Sequence, residues 1–268
     1  MHKETDSNQE FPSTGEALGI LFFSLFLTIF FRALTGEMDN KTAIIGTQIF
    51  FTIPFLVFIR IRNLDVRKAL RLNPASRSIL GISAGIGLGL GFVIKEFGRL
   101  LREFIPLPEE MQQSLEFSFK VETATDVLLL VFGVMILTAF LEEIVFRGFI
   151  QNAIEARMDI TRAVLMTAFI FSIVYIGSPH ATIQVIIIGV VLGALAWKSN
   201  SIFPAAVAHA CINIVDISLD DTIGTSKSLF DLYGHINPLL LLASGAVLVY
   251  GIRLFNSVID AENSPASS

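Results

Sequence analysis

Eight runs of the chain are almost wholly apolar and near the length of a membrane-crossing helix: 17–34, 43–61, 79–98, 126–149, 162–177, 181–197, 202–217 and 237–254. A bilayer core about 30 Å thick is crossed by about 20 helical residues, so each run predicts one spanning helix. The fifth to seventh are short and carry polar residues, which predicts helices tilted or packed inside a bundle. Segment 99–122 is different, scattering Leu, Phe and Ile among charges and broken by Pro106 and Pro108. It is too polar to span and predicts an interfacial helix-turn-helix on the outer surface. In the third run, Gly81, Gly85 and Gly89 recur every four residues and predict one face where another backbone approaches closely. The predicted fold is therefore all-α, a polytopic membrane bundle of about eight transmembrane helices with an interfacial amphipathic segment. No internal repeat and no second soluble domain is visible.

Composition agrees with that pattern. Of 268 residues, 53% are hydrophobic and 16% charged, with a mean hydropathy of +0.69, which excludes an ordinary water-soluble globule. A net charge of −5 without a long Lys/Arg run excludes a nucleic-acid partner. The single cysteine, Cys211, cannot form an internal disulfide or by itself build a zinc or iron-sulfur site. The polar N-terminus lacks the basic flank and cleavage site of a secretory signal, so the first apolar run is expected to remain. Arg60, Arg62, Arg67, Lys68, Arg71 and Arg77 form the densest basic loop, which the positive-inside rule assigns to the cytoplasm. Both termini are then cytoplasmic, and twelve of the 19 Lys and Arg fall on that side. The outer loops gather acids instead.

Ionisable residues inside a spanning helix are costly and mark functional positions. Three clusters qualify. At the inner end of the fourth run, Glu142 and Glu143 are adjacent and Arg147 follows Glu143 by four. That spacing pairs Glu143 with Arg147 on one face and turns Glu142 about 100° away, free to meet something else; the plain alternative is three side chains snorkelling at the interface. In the seventh run, His209 and Asn213 share a helix face, two side chains able to donate to one oxygen. In the fifth, Phe171 and Tyr175 lie in the apolar run, Tyr175 as a packing aromatic or a site residue, while His180 follows Gly177-Ser178-Pro179 and is expected in a solvated outer loop.

Together these residues suggest a polar cavity in which Glu142 activates water and His209 with Asn213 stabilises the oxyanion of an attacked amide. That is peptide hydrolysis without a Ser or Cys nucleophile, and no Gly-x-Ser-x-Gly, phosphate loop or His-Glu-x-x-His motif is present. Neither a cofactor nor a metal is expected: Glu142, Glu143, His180 and His209 could be imagined as ligands, but Arg147 puts positive charge where a cation would sit. A transporter would also use intramembrane Glu, Arg and His, but no inverted repeat supports one.

At these residues the chain resembles the CAAX-protease and bacteriocin-processing (CPBP, or Abi) family of intramembrane glutamic proteases. LEEIVFRGFIQ resembles the Glu-Glu-x-x-x-Arg motif, and GVVLGALAWKSNSIFPAAVAHACIN resembles the stretch leading to the His-x-x-x-Asn motif. The resemblance spans about residues 125–216. It divides the chain into a polar tail 1–16, helices and the interfacial segment 17–124, a catalytic core 125–217, and an outer loop, last helix and tail 218–268. It implies Glu142 as catalytic base, Glu143 and Arg147 as site-shaping partners, and His209 with Asn213 as oxyanion pair. The substrate would be a membrane-associated peptide or protein met in the lipid bilayer. Members typically carry Phe-x-x-x-His between the two motifs, where this chain has Phe171-Ser-Ile-Val-Tyr175. The resemblance gives that histidine a share in handling the catalytic water, whereas tyrosine is a poor proton acceptor. Three readings follow: Glu142 suffices with Tyr175 orienting water; His180 folds back into the site; or the chain is a catalytically silent scaffold or immunity-type interaction protein. The pattern looks more like prokaryotic members, in a cytoplasmic membrane, than like the prenyl-protein branch.

Overall fold

The structure, a computed structural model, describes residues 11–36, 40–105, 121, 123–174, 179–219 and 230–264. Each of the eight apolar runs holds a helix, the fifth being described as far as Val174. They are α1 (Thr14–Leu34), α2 (Asn40–Ile61), α4 (Arg77–Phe104), α5 (Ala124–Glu155), α6 (Ile160–Val174), α7 (Pro179–Ser199), α8 (Ile202–Ser218) and α9 (Pro238–Asn263), with a single turn, α3 (Val66–Ala69), between α2 and α4. Six are long and apolar enough to cross a membrane, while α6 and α8 have 15 and 17 residues. At 1.5 Å per residue those two reach only about 22–26 Å, so they depend on their neighbours to complete the bundle. Among the described residues the only strands are β1 (Asp231–Leu232) and β2 (His235–Ile236), a short antiparallel hairpin. The chain is an all-α polytopic membrane bundle.

Local chemistry sets the helix starts. Ser13 and Glu16 form a reciprocal capping box on α1, Ser76 caps α4, Ser201 caps α8, and Asn237 caps α9 with Pro238 in its first turn. Phe22, Phe26, Ile29 and Leu34 on α1 point away from the protein, which is expected where the surroundings are lipid.

Between helices, close backbone approach takes the place of hydrophobic exclusion. The packing face of α4 differs from the expected glycine stripe: Gly81 has open space and Gly85 makes only ordinary contact, whereas Gly89 lies against the backbone of Ser244. The tightest approach is at Gly87, where an added Cβ would lie 2.7 Å from the Ala208 Cα, and Gly91 packs on Val215. α4 therefore uses two faces, one for α8 and one for α9, which a period of four cannot display.

α4 also runs to Phe104, beyond the expected end at Gly98. Its charged last turns stay helical because they are partnered: Arg99 makes two bonds to Asp231 at 2.8 and 2.9 Å, and Glu96 accepts from the Ile236 amide at 2.8 Å and meets His235 Nδ1 at 2.7 Å. Most of the expected interfacial segment, 106–120 and 122, lies outside the described residues. Position 180, expected in a loop, is in the first turn of α7, where Pro179 opens the helix.

The loop between α2 and α4 is seated on the C-terminal part of α5. Leu70 presents its carbonyl to Gly148, where a Cβ would come within 2.6 Å. Asn152 donates to the Lys68 carbonyl at 3.1 Å, Arg71 pairs with Glu155 through both guanidinium nitrogens, and Ile202 donates to the Arg71 carbonyl at 3.1 Å.

Candidate active site

α5 carries the paired glutamates in a helix of mixed register. It is π-helical over Leu129–Leu137, α-helical over Thr138–Glu143 and π-helical again over Ile144–Ile150. π turns hold an extra residue and recur at functional sites. Here the register changes immediately after the Glu142-Glu143 pair, and residues 142–150 are all buried.

Within this buried stretch, Arg147 Nη1 donates to Glu143 Oε1 at 2.9 Å, the pair that their spacing predicts. Arg147 also donates to the Gly189 carbonyl at 3.3 Å and lies over the Phe171 ring, 4.5 Å from its centroid. Both Glu143 and Arg147 are fully buried. An ion pair so placed holds only with further hydrogen bonds and cation-π contact around it. One turn on, Gln151 donates to the Gly193 carbonyl at 3.0 Å, joining α5 to α7 again.

α8 brings His209 against both glutamates. Its Nδ1 is 2.8 Å from Glu143 Oε1, the oxygen that Arg147 also reaches, and its Nε2 is 3.7 Å from Glu142 Oε2. A carboxylate only accepts, so the ring proton on that side sits on Nδ1, and Nε2 is the nitrogen turned toward Glu142. Phe171 packs edge-on against the ring, centroids 6.1 Å apart. The two adjacent carboxylates thus converge on opposite nitrogens of one imidazole rather than diverging into separate environments.

Gln48 on α2 completes the group, donating its amide to Glu142 Oε1. Sequence reasoning missed it because a glutamine carries no charge to mark it, and Gln48 lies 94 residues before its partner. The only available signal was a polar side chain in an apolar run.

Glu142, Gln48, His209, Asn213 and Phe171 line one cavity of about 440 Å³, whose other walls include Ile44, Val134, Ile188 and Ile212. Asn213, one turn beyond His209, makes a long bond of 3.4 Å from Nδ2 to the Met135 carbonyl. At the far end, Lys95 donates to Asp216 Oδ1 at 2.8 Å and to its carbonyl at 2.9 Å. Tyr175 lies outside the described residues, as does the side chain of His180. Among the described residues no group of three or more His, Cys, Asp and Glu is arranged to hold a metal ion.

The site is thus a buried acid pair and imidazole facing a mostly apolar cavity within a helical membrane bundle. Residues 124–215 match the family model described as Rce1-like, type II CAAX prenyl endopeptidase Rce1-like. The match covers about a third of the chain and agrees with the resemblance carried by its motifs. The description names the prenyl-protein branch, although nothing in the sequence itself specifies a lipidated substrate. No curated protein and no solved structure matches the chain. The match and the apolar helices together support an integral membrane endopeptidase acting on peptide substrates.

Proposed function

We propose that the chain hydrolyses a peptide bond of a membrane-delivered peptide or protein, with Glu142 as the base that activates water. The observation that carries this reading is the Glu142 carboxylate, buried, oriented by Gln48 and facing His209 across a cavity that also contains Asn213.

In the proposed reaction, Glu142 takes a proton from water as its oxygen attacks the amide carbon. The carbonyl oxygen becomes an oxyanion, met by Nε2–H of an imidazolium His209 and by the Asn213 amide. Collapse breaks the C–N bond, Glu142 returns the proton to the leaving amine, and a carboxylic acid and an amine result, the acid then passing its remaining proton to the amine so that they depart as carboxylate and ammonium. Glu143 is a positioning residue, fixing which ring nitrogen faces the cavity.

The second reading, a silent scaffold or immunity-type partner, rests on Tyr175 at the position where the family motif carries histidine. Comparing peptide termini by mass spectrometry in cells making the native chain, Glu142→Ala or Tyr175→His separates the two. Termini lost with Glu142→Ala and increased with Tyr175→His identify a protease and its substrate. Identical peptide sets at equal protein level would identify the scaffold.

A further inference from the structure

We infer that the outer cleft between α1 and α2 binds one phospholipid with a primary-amine headgroup, of the phosphatidylethanolamine kind. One acyl chain takes an apolar groove, and the headgroup sits on Arg62 and Glu16. The inference does not depend on the catalytic reading and concerns a surface apart from the cavity of Glu142 and His209.

The two helices run antiparallel and are in close contact at one end. There the Phe31 ring stacks on Phe50, centroids 4.2 Å apart, and crowds Gly46, where an added Cβ would lie 2.8 Å from it. Toward the other end they leave a groove of about 400 Å³, walled by Ile20 and Phe23 of α1 and by Val57, Phe58 and Ile61 of α2. Gly19 keeps it open, since a Cβ there would meet nothing within 4 Å. Ala17, Leu21, Phe55 and Ile59 close the core behind it, while Phe23, Val57 and Ile61 are exposed. On a membrane bundle such a groove faces hydrocarbon, and its two walls give an acyl chain contacts on both sides where a single helix face gives them on one.

The groove ends at two opposite charges. Glu16 borders it, and Arg62 Nη1 lies 2.8 Å from Glu16 Oε1, with its guanidinium over the Phe58 ring at 5.7 Å from the centroid. Arg157, which donates to the Pro12 carbonyl at 2.7 Å just before α1, adds positive charge at the same end. The Arg62 side chain is 54% exposed and that of Glu16 is 32% exposed, so both reach the level where headgroups lie. A guanidinium has five N–H donors and a carboxylate about four lone-pair positions, so a pair bonded through one oxygen can still take a further acceptor and a further donor.

A headgroup carrying both signs matches a site carrying both. The phosphodiester is met by the guanidinium, and the ammonium by Glu16. A primary ammonium brings three N–H donors to that carboxylate. The quaternary ammonium of a choline lipid brings none, and a glycerol headgroup sets a phosphate beside Glu16 with no cation between them.

The test is native mass spectrometry of the full-length protein in detergent, titrated with dioleoyl phosphatidylethanolamine, phosphatidylcholine and phosphatidylglycerol. One phosphatidylethanolamine is expected to bind roughly 10-fold more tightly than either other lipid, the scale of one charge-assisted hydrogen bond. Glu16→Gln, which can still close the capping box, is expected to reduce phosphatidylethanolamine to the level of phosphatidylcholine. Arg62→Gln should weaken all three. Gly19→Leu fills the groove without meeting a neighbour at Cβ and should weaken phosphatidylethanolamine, while Gly81→Leu, in equally open space on α4, should not. Equal affinities in the native chain, tightest binding of phosphatidylglycerol, an unchanged preference in Glu16→Gln, or native affinity in Gly19→Leu overturns the inference. A dimer that Gly19→Leu dissociates, with no lipid retained, gives the groove to a second copy of the chain and overturns it too. The ranking on the native chain needs neither a variant nor cleavage, so a misfolded variant or an inactive protein leaves the test decisive.

Discussion

Glu143 Oε1 lies 2.8 Å from His209 Nδ1 and accepts from Arg147 at 2.9 Å, so one buried oxygen fixes both a guanidinium and an imidazole. Removing it leaves Arg147 buried beside an apolar gap and lets the His209 ring turn. Breaking a buried pair from one side typically costs about 3–5 kcal/mol. Glu143→Ala is therefore expected to lower the midpoint of thermal unfolding in detergent and to abolish cleavage. Glu143→Gln keeps an oxygen for Nδ1–H and should retain more of both. Equal unfolding midpoints for Glu143→Ala and the native chain would show that the pair is not structural.

Gln48 reaches Glu142 from a helix outside the family-matched segment. A neutral donor to a charged acceptor is worth about 1.5–3 kcal/mol in place, and here its effect falls on the orientation of the proposed base. Gln48→Leu, which keeps the volume and removes the donor, is expected to lower kcat by roughly 10- to 100-fold on that scale with KM nearly unchanged. Gln48→Asn, one methylene shorter, should recover only part of the loss. A purely structural role for Gln48 would instead appear as reduced protein level with normal kcat per folded molecule.

Gly87 sets the distance between α4 and the helix carrying His209. An added Cβ would run into the Ala208 backbone, one residue before His209, and backbone on both sides leaves no flexible side chain to give way. Gly87→Ala should therefore displace α8 and reduce turnover, since displacements of about 1 Å can cost on the order of 100-fold. Gly81→Ala, on the same helix with open space around it, is the comparison and should leave activity and stability near native. Comparable loss in both variants would point to helix propensity or lipid contact rather than to this crossing.

The parts of this architecture that depend on local spacing were legible in the sequence. Apolar run length located all eight helices, four-residue spacing gave the Glu143–Arg147 pair, and the same spacing placed His209 and Asn213 on a common face. What depended on contacts between distant helices was not. Glu142 and Glu143 keep the regular rotation of an α-helix, and both meet one ring because α8 sets His209 between them, which spacing along α5 cannot show. Gln48 became visible only once α2 lay beside α5. The glycines of α4 serve two neighbours, Gly85 and Gly89 toward α9 and Gly87 and Gly91 toward α8, so the single predicted stripe showed only one of the two faces.

Arg71 offers a separate handle on the loop between α2 and α4. Its guanidinium bonds Glu155 with both nitrogens, and its carbonyl accepts from Ile202, tying the basic loop to α5 and α8. The residue holds a positive φ of 53°, a conformation sustained only where surrounding bonds enforce it. Arg71→Ala removes the bidentate pair while leaving Glu155 its bond from Gln151. The expected result is a loop that opens more often, read as faster tryptic cutting at the exposed Arg67 and Lys68 in the detergent-solubilised protein. Because the loop lies away from the cavity lining, kcat for the native substrate should change little. Unchanged tryptic cutting would show that Leu70 against Gly148 and Asn152 against Lys68 hold the loop without the ion pair. A large fall in kcat accompanying normal tryptic resistance would instead place Arg71 in communication with the glutamates through Glu155 and Gln151.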